Sequence, residues 1–251
     1  MRVAVVTGGS SGIGAAIARA LSDRGYRCVL LARGKERLEA LAVGLGAEHE
    51  VCDVGDRASI EAAAAAVRAR HPAIKVLVNN AGVPGRAGFL DADDERIEQV
   101  TRINYLGGVW CVRAFLPALE AATPSHVVNV VSVAGTVAVG TSGPYTAAKH
   151  AQLAFSRSIA AELAPRGVRV HAVLPGFVET EGFPQYTVHP RWMHPFIGKP
   201  EDVARAVVRV IDRNRHEVTV PRYYRLGTLA QWIAPGLVAR VGRSGRVSKG
   251  A

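Results

Sequence analysis

The chain is short of cysteine, of aromatic residues and of long apolar runs, and each shortage excludes something. Three cysteines in 251 residues (Cys28, Cys52, Cys111) are too few and too scattered for a disulfide framework or a zinc site. Each sits in an apolar run, so each is expected as a small buried hydrophobe in a reducing compartment. Aromatics make up 6% of the chain, so the core must be built from Ala, Val, Leu and Ile. No stretch approaches the roughly 20 uninterrupted apolar residues that a spanning helix needs. The opening MRVAVVTGG lacks the basic, apolar and cleavage regions of a signal peptide, so a soluble cytoplasmic protein is expected. Acid is scarce at one end. From Val203 onward ten Lys/Arg face two acids (Asp212, Glu217), a net +8 of the chain's +10, which leaves +2 for residues 1–202. The basic character therefore belongs to the C-terminal segment rather than to the whole fold.

What is present is a 49% apolar sequence in which β-branched runs alternate with Ala-rich helical runs. Strands are expected at 2–7, 27–32, 48–52, 75–79, 126–131, 169–174 and 217–220. Helices are expected at 13–24, 35–44, 57–70, 144–164 and 201–213, and 94–120 reads as one long helix or two joined ones. The strands are continuously apolar rather than alternating, as a parallel sheet covered on both faces requires. This predicts an α/β fold with a doubly wound parallel sheet in three layers. One domain, 1–221, carries a lid at about 179–199 and is followed by a basic amphipathic appendage at 222–251.

The first strand runs into Thr7-Gly8-Gly9-Ser10-Ser11-Gly12-Ile13-Gly14, which opens the first helix. Gly8 turns the chain out of the strand, Gly12 lets backbone approach a pyrophosphate, and Gly14 lets helix and strand pack closely. The spacing is G-x-x-x-G-x-G, not G-x-G-x-x-G. A fold that selects NAD usually places Asp or Glu at the end of the second strand, about 20 residues on. Here that strand ends Leu31-Ala32-Arg33. A guanidinium forks onto a 2′-phosphate, which a carboxylate would repel, so NADP(H) is favoured over NAD(H).

TGGSSGIG at 7–14, Asp53 after the third strand, Asn79-Asn80-Ala81-Gly82 after the fourth, Asn104, Ser132 and Tyr145-x-x-x-Lys149 resemble the short-chain dehydrogenase/reductase family, in order from Arg2 to about Thr180. The resemblance implies a Rossmann-like oxidoreductase moving hydride between a nicotinamide and a carbonyl or alcohol carbon. The cofactor contacts it implies are Thr7, Gly8, Ser10, Ser11, Gly12, Ile13 and Gly14 in the loop, then Arg33, Asp53 and Val54. Asn80, Ala81 and Gly82 follow, with Tyr145, Lys149, Pro175, Gly176, Val178 and Thr180. Asp53 would lie beside the adenine, Asn80 would steady the central strand and a ribose, Pro175-Gly176 would border the nicotinamide, and Thr180 would contact its carboxamide. At least a dimer, through the two long helices after the fourth strand, is implied in the same way.

Carbonyl reduction needs a proton donor for the developing alkoxide and a group that polarises the oxygen. A free tyrosine, with a pKa of about 10, exchanges its proton too reluctantly at neutral pH. Tyr145 and Lys149, four apart on a helix, share a face, and an ammonium there lowers the phenol's pKa. Ser132, past the fifth strand, is the expected polariser. The resemblance assigns Asn104 a water that relays protons to Lys149. A non-catalytic NADP(H)-sensing protein on the same fold is the alternative, though a sensor has no need of a poised phenol.

Residues 179–199 carry Phe183, Tyr186, Trp192, Met193 and Phe196, which form either an apolar pocket wall for a hydrophobic substrate or the lid's own small core. His189 and His194 lack acidic or cysteine partners, so no metal is expected. Beyond Val220 the Asp-Gly-Gly run that the family commonly carries is missing, which puts its usual tetramer contact in doubt. Leu226–Val241 is apolar, broken by Pro235-Gly236, and flanked by Arg222 and Arg225 on one side and Arg240, Arg243, Arg246 and Lys249 on the other. Two readings stand: an interfacial helix at an anionic membrane surface, or a helix packed on its own subunit or across a dimer beside the pocket. The tail beyond Arg243 is expected to be disordered. No aromatic platform is interleaved with these cations, so nucleic acid is not an expected partner.

Overall fold

The computed structural model describes residues 1–85, 87–138 and 142–244. Its centre is an all-parallel sheet of β1 (Arg2–Thr7), β2 (Tyr26–Ala32), β3 (Glu48–Val51), β4 (Val76–Asn79), β5 (Ser125–Val130), β6 (Val168–Pro175) and β7 (Glu217–Val220), in the order β3-β2-β1-β4-β5-β6-β7. The apolar runs are apolar throughout because both faces are covered. Val3 and Val5 belong to one core, Ala4 and Val6 to the other, and none of the four is more than 3% exposed. The first core is completed by α3 (Arg57–Arg70), α5 (Gly107–Glu120) and α6 (Gly143–Leu163), and the second by α1 (Gly12–Ser22), α2 (Lys35–Leu45) and α7 (Pro200–Arg213).

The helical faces follow from residue spacing. In α3, Ile60, Ala63, Ala64 and Val67 are buried, and the small alanines let the helix lie close to the sheet. In α7, Val203, Val207, Val210 and Ile211 form the inward stripe, while Arg205, Arg209 and Arg213 stay outside. Chain order reverses between β1 and β4, so the loops after these two strands diverge and leave a crevice at the carboxyl edge of the sheet, where such folds bind ligands.

The expected segments fall within a residue or two of the observed ones, and 2–7, 57–70 and 217–220 match end to end. The stretch 94–120 resolves into α4 (Asp94–Thr101), a π-helical turn (Arg102–Leu106) and α5. After β7 come a 3₁₀ turn (Arg222–Tyr224), α8 (Arg225–Ile233) and α9 (Pro235–Ser244). No described helix is long and apolar enough to cross a membrane. Residues 245–251, most of the tail expected to be disordered, lie outside the described residues.

Candidate active site

The loop after β1 is built to leave backbone N–H groups open. Gly8 and Gly12 have φ of +63° and +51°, and a Cβ on Gly14 would fall 2.1 Å from the Gly8 carbonyl oxygen, so only glycine fits there. Ser11 is extended and makes no side-chain capping bond, so the first N–H groups of α1 keep their hydrogen-bonding capacity. Such a cradle fits the pyrophosphate of a dinucleotide. Thr180 of the lid lies over it, its Cβ 3.2 Å from where a Gly12 side chain would begin.

Thr7 and Asn80 stitch the two diverging strands together. The Thr7 hydroxyl donates to the Val78 carbonyl (3.3 Å) and accepts from the Asn80 and Ala81 N–H groups (3.0 and 3.1 Å). The Asn80 amide donates to the Thr7 carbonyl at 3.0 Å. Gly82 lies against Asn104, whose oxygen is 2.8 Å from the Cβ position at Gly82. At the other end of the crevice a cavity of about 310 Å³ is bordered by Arg33, Asp53, Asp56, Glu95, Glu98 and Arg102. The Arg33 guanidinium approaches Asp53 no closer than 4.0 Å and is largely exposed. The Asp53 carboxylate instead accepts from Gly55 N–H at 2.8 Å. Val54, beside it, is buried against Gly107.

Ser132, Tyr145 and Lys149 converge at the carboxyl edge of β5. Ser132 lies two residues past the strand and caps the following 3₁₀ turn, and its hydroxyl accepts from Ala134 N–H (3.0 Å) while lying close enough to Tyr145 to pull the phenol's pKa down. Lys149 Nζ stands 5.7 Å from the Tyr145 ring centre and is 3% exposed. Burial dominates both groups, pushing Tyr145 up to about 12 and Lys149 down to about 7. The expected lowering of the phenol is therefore not a property of these residues standing alone. Asn104 sits in the π-turn, but its side chain is fully engaged. Its amide donates to Val83 and Val100 carbonyls (3.1 and 3.0 Å), and its oxygen accepts from Val83 N–H (3.2 Å).

The family model for short chain dehydrogenase matches residues 2–189. The 3-oxoacyl-[acyl-carrier-protein] reductase of Escherichia coli is 34% identical over 182 residues, which cover 72% of this chain and 75% of the relative. The galactitol 2-dehydrogenase (L-tagatose-forming) of Cereibacter sphaeroides is 36% identical over 218 residues, 82% of this chain and 85% of the relative. Among solved structures, an actinorhodin polyketide ketoreductase with NADPH superposes with a TM-score of 0.79 at 32% identity, covering 87% of this chain and 95% of the other. The chain belongs to the short-chain dehydrogenase/reductase family. It is accordingly an oxidoreductase acting on CH–OH or C=O groups, on the Rossmann-like fold described above.

Three features of this short-chain dehydrogenase escape a reading of its motifs. Gln152, 4% exposed, accepts from Lys149 Nζ at 2.9 Å, with the Val130 carbonyl as a second acceptor at 3.3 Å. Gln152 lies three residues after Lys149 on α6, a spacing that puts both on one helical face and could have drawn notice. Tyr224 packs its ring onto Gly176, 2.1 Å from where a Cβ would stand, so the appendage touches the turn after β6. Tyr223 and Tyr224 both donate to the Phe196 carbonyl (2.9 and 3.1 Å), which ties the end of the lid to the appendage.

The aromatics of residues 179–199 do not share one environment. Phe183 faces Tyr145 with ring centres 6.5 Å apart, whereas Tyr186 pairs with His194 at 4.9 Å, and Trp192 and Phe196 are exposed. Val178 is buried and bridges to Gly198, and Gly176 N–H donates to the Val220 carbonyl, which fixes the chain from Pro175 into the lid.

Proposed function

We propose that this protein is a cytoplasmic NADP(H)-dependent oxidoreductase, at least dimeric, that interconverts a carbonyl and a secondary alcohol on a hydrophobic small molecule. The observation that carries the reading is the convergence of Ser132, Tyr145 and Lys149 beside the open N–H cradle of 8–14. When bound, the nicotinamide supplies or accepts the hydride. Ser132 holds and polarises the substrate oxygen, and Tyr145 gives that oxygen its proton in reduction or takes it in oxidation. With the cofactor bound, the Lys149 ammonium favours the phenolate and so helps the phenol release its proton. Two of its three donors go to Gln152 and Val130, leaving one for the nicotinamide ribose.

Thr7, Asn80, Ala81 and Gly82 hold the crevice open. Gly8 to Gly14, with Ser10, Ser11 and Ile13, take the pyrophosphate. Asp53 and Val54 flank the adenine, and Pro175, Gly176, Val178 and Thr180 border the nicotinamide. Because the Asn104 amide is already satisfied, a relay water there would be held by the backbone of the π-turn. Arg33, exposed and weakly paired, is free to swing onto a 2′-phosphate. Phe183, facing Tyr145, supports an apolar substrate.

An NADPH-consumption screen over steroids, fatty aldehydes, quinones and small ketones tests the reading. Turnover of at least one class is expected, with NADPH bound at least about fivefold tighter than NADH, a gap that Arg33→Ala narrows, since a guanidinium–phosphate fork contributes in the range of 1.5–3 kcal/mol. Equal affinities in the unaltered protein would overturn the assignment of Arg33. Tight NADPH binding with no turnover anywhere would overturn the assignment of the reaction.

A further inference from the structure

Helix α8 is built the reverse way round from an ordinary surface helix. Its polar residues face the protein: Thr228 hydroxyl to Thr136 hydroxyl at 2.8 Å, and the Gln231 side-chain oxygen accepting from Ala138 N–H at 3.2 Å. Tyr224, four residues before Thr228, packs on Gly176 on the same side. Its apolar residues face outward. Leu226, Leu229 and Ile233 share one stripe at i, i+3 and i+7, with Trp232 beside them and Leu237 following on α9. Trp232 and Ile233 are 75% and 74% exposed, and Leu226 is 69% exposed. The helix cannot roll this stripe inward without breaking the Thr228 and Gln231 bonds. A contiguous apolar face of this kind marks a surface that something else covers.

The charge around the stripe says what. Arg225 lies i−4 and i−7 from Leu229 and Trp232, on the outward side, and Arg222 and Arg240 are exposed at either end. From Val218 to the end of the chain there are six Lys/Arg and no acid. A second copy docked through this patch would meet its own guanidinium groups with no carboxylate from this segment to neutralise them, since a two-fold interface sets a patch against itself. An anionic lipid surface supplies the opposite charge and accepts the aromatic and aliphatic side chains together.

We infer that α8 and the start of α9 form a peripheral docking face for an anionic bilayer, with Leu226, Leu229, Trp232 and Ile233 entering the headgroup boundary and Arg222, Arg225 and Arg240 on the phosphates. Phe196 of the lid extends the face, its ring edge-on to Tyr223 at 5.8 Å. Because α8 is bonded to the loop that follows Ser132, a chain docked in this way holds its cleft at the lipid. That consequence rests on the hydrophobic substrate proposed above, whereas the docking does not.

The test is sedimentation of the full chain, without cofactor or substrate, with vesicles of phosphatidylcholine alone or with about one third phosphatidylserine. The protein is expected to pellet with the serine-lipid vesicles at low salt and to remain in solution with the others. The pair Trp232→Ser/Ile233→Ser, on exposed positions, is expected to weaken partitioning by about tenfold or more. Arg222→Gln/Arg225→Gln/Arg240→Gln is expected to weaken it and to flatten its salt dependence. Equal distribution between the two lipids overturns the inference. So does pelleting that the arginine variant loses and the serine pair does not, which is plain electrostatic adsorption. A serine pair that converts a dimer into a monomer by light scattering, with no vesicle binding, assigns the face to a second copy and overturns it as well. NADPH consumption on a soluble carbonyl, measured separately, shows whether the reaction itself stands.

Discussion

Among the described residues no carboxylate pairs with Lys149. The described partners of its Nζ are two neutral oxygens, from Gln152 and Val130, and burial holds its pKa down at about 7. The ammonium, the form that assists Tyr145, is therefore lost as pH rises through that region. The kcat/KM for carbonyl reduction is expected to fall on the alkaline side for this reason. Gln152→Leu removes an acceptor worth about 1.5–3 kcal/mol to a charged donor, so it should move this limb to lower pH by roughly one to two units. Gln152→Glu should move it to higher pH. A profile displaced by neither variant would reduce Gln152 to a packing residue. That Tyr145 and Lys149 share one face was legible from helix periodicity, whereas the roles proposed for them came from the resemblance to the family and not from the spacing. Gln152 is legible by the same spacing once Lys149 is fixed, whereas no local pattern could have shown Tyr224 seated on Gly176, since that contact joins residues 48 positions apart.

The elements themselves were largely readable, because a doubly covered parallel sheet leaves an unmistakable mark in its continuous apolar strands. The exception is 94–120. The π-turn at 102–106 is held where Asn104 bonds to Val83, on a loop 21 residues away, and spacing within the segment does not reveal such a partner. Another hidden pairing joins β5 and β6. His126 and His171 are both buried, with Nδ1 of His126 2.9 Å from Nε2 of His171, and His171 Nδ1 donating to the Arg215 carbonyl at 2.7 Å.

Burial, then His171, Arg169 and Lys75, push His126 down to about 4, against a smaller opposing pull from Asp212. Burial lowers His171 too. The folded protein thus keeps these rings neutral while the unfolded chain protonates near 6.5. The stability they contribute is present above that pH and is lost as pH falls toward 4. Thermal unfolding should therefore occur at lower temperature at pH 5 than at pH 7, and His126→Asn should lose less on acidification, by on the order of 1 kcal/mol. Parallel losses in both proteins would contradict this account of the pair.

For the whole molecule, the order of the strands decides where chemistry is possible. Chain reversal between β1 and β4 opens one crevice, and the glycine loop, Asn80, Ser132, the α6 residues Tyr145 and Lys149, and Thr180 gather on that side of the sheet from several elements. The appendage is held to the segments after β5 and β6 through Tyr224 on Gly176, Thr228 on Thr136 and Gln231 on Ala138. Apolar and basic residues alone leave packing on the same subunit or across a dimer open beside a membrane contact, because they do not say which side of a helix faces inward. In α8 the polar side faces the body and the apolar side faces out, so the helix packs on its own subunit and still presents a free apolar face.

The measurement that bears most directly on the central claim is a comparison of Tyr145→Phe with the unaltered protein, by NADPH titration and by steady-state reduction of whichever carbonyl the screen identifies. The ring is kept and only the hydroxyl is lost. NADPH affinity is expected to stay within a few-fold while kcat falls by about 10²–10⁴. A kcat within a few-fold of the unaltered protein, with cofactor still bound, would contradict the account.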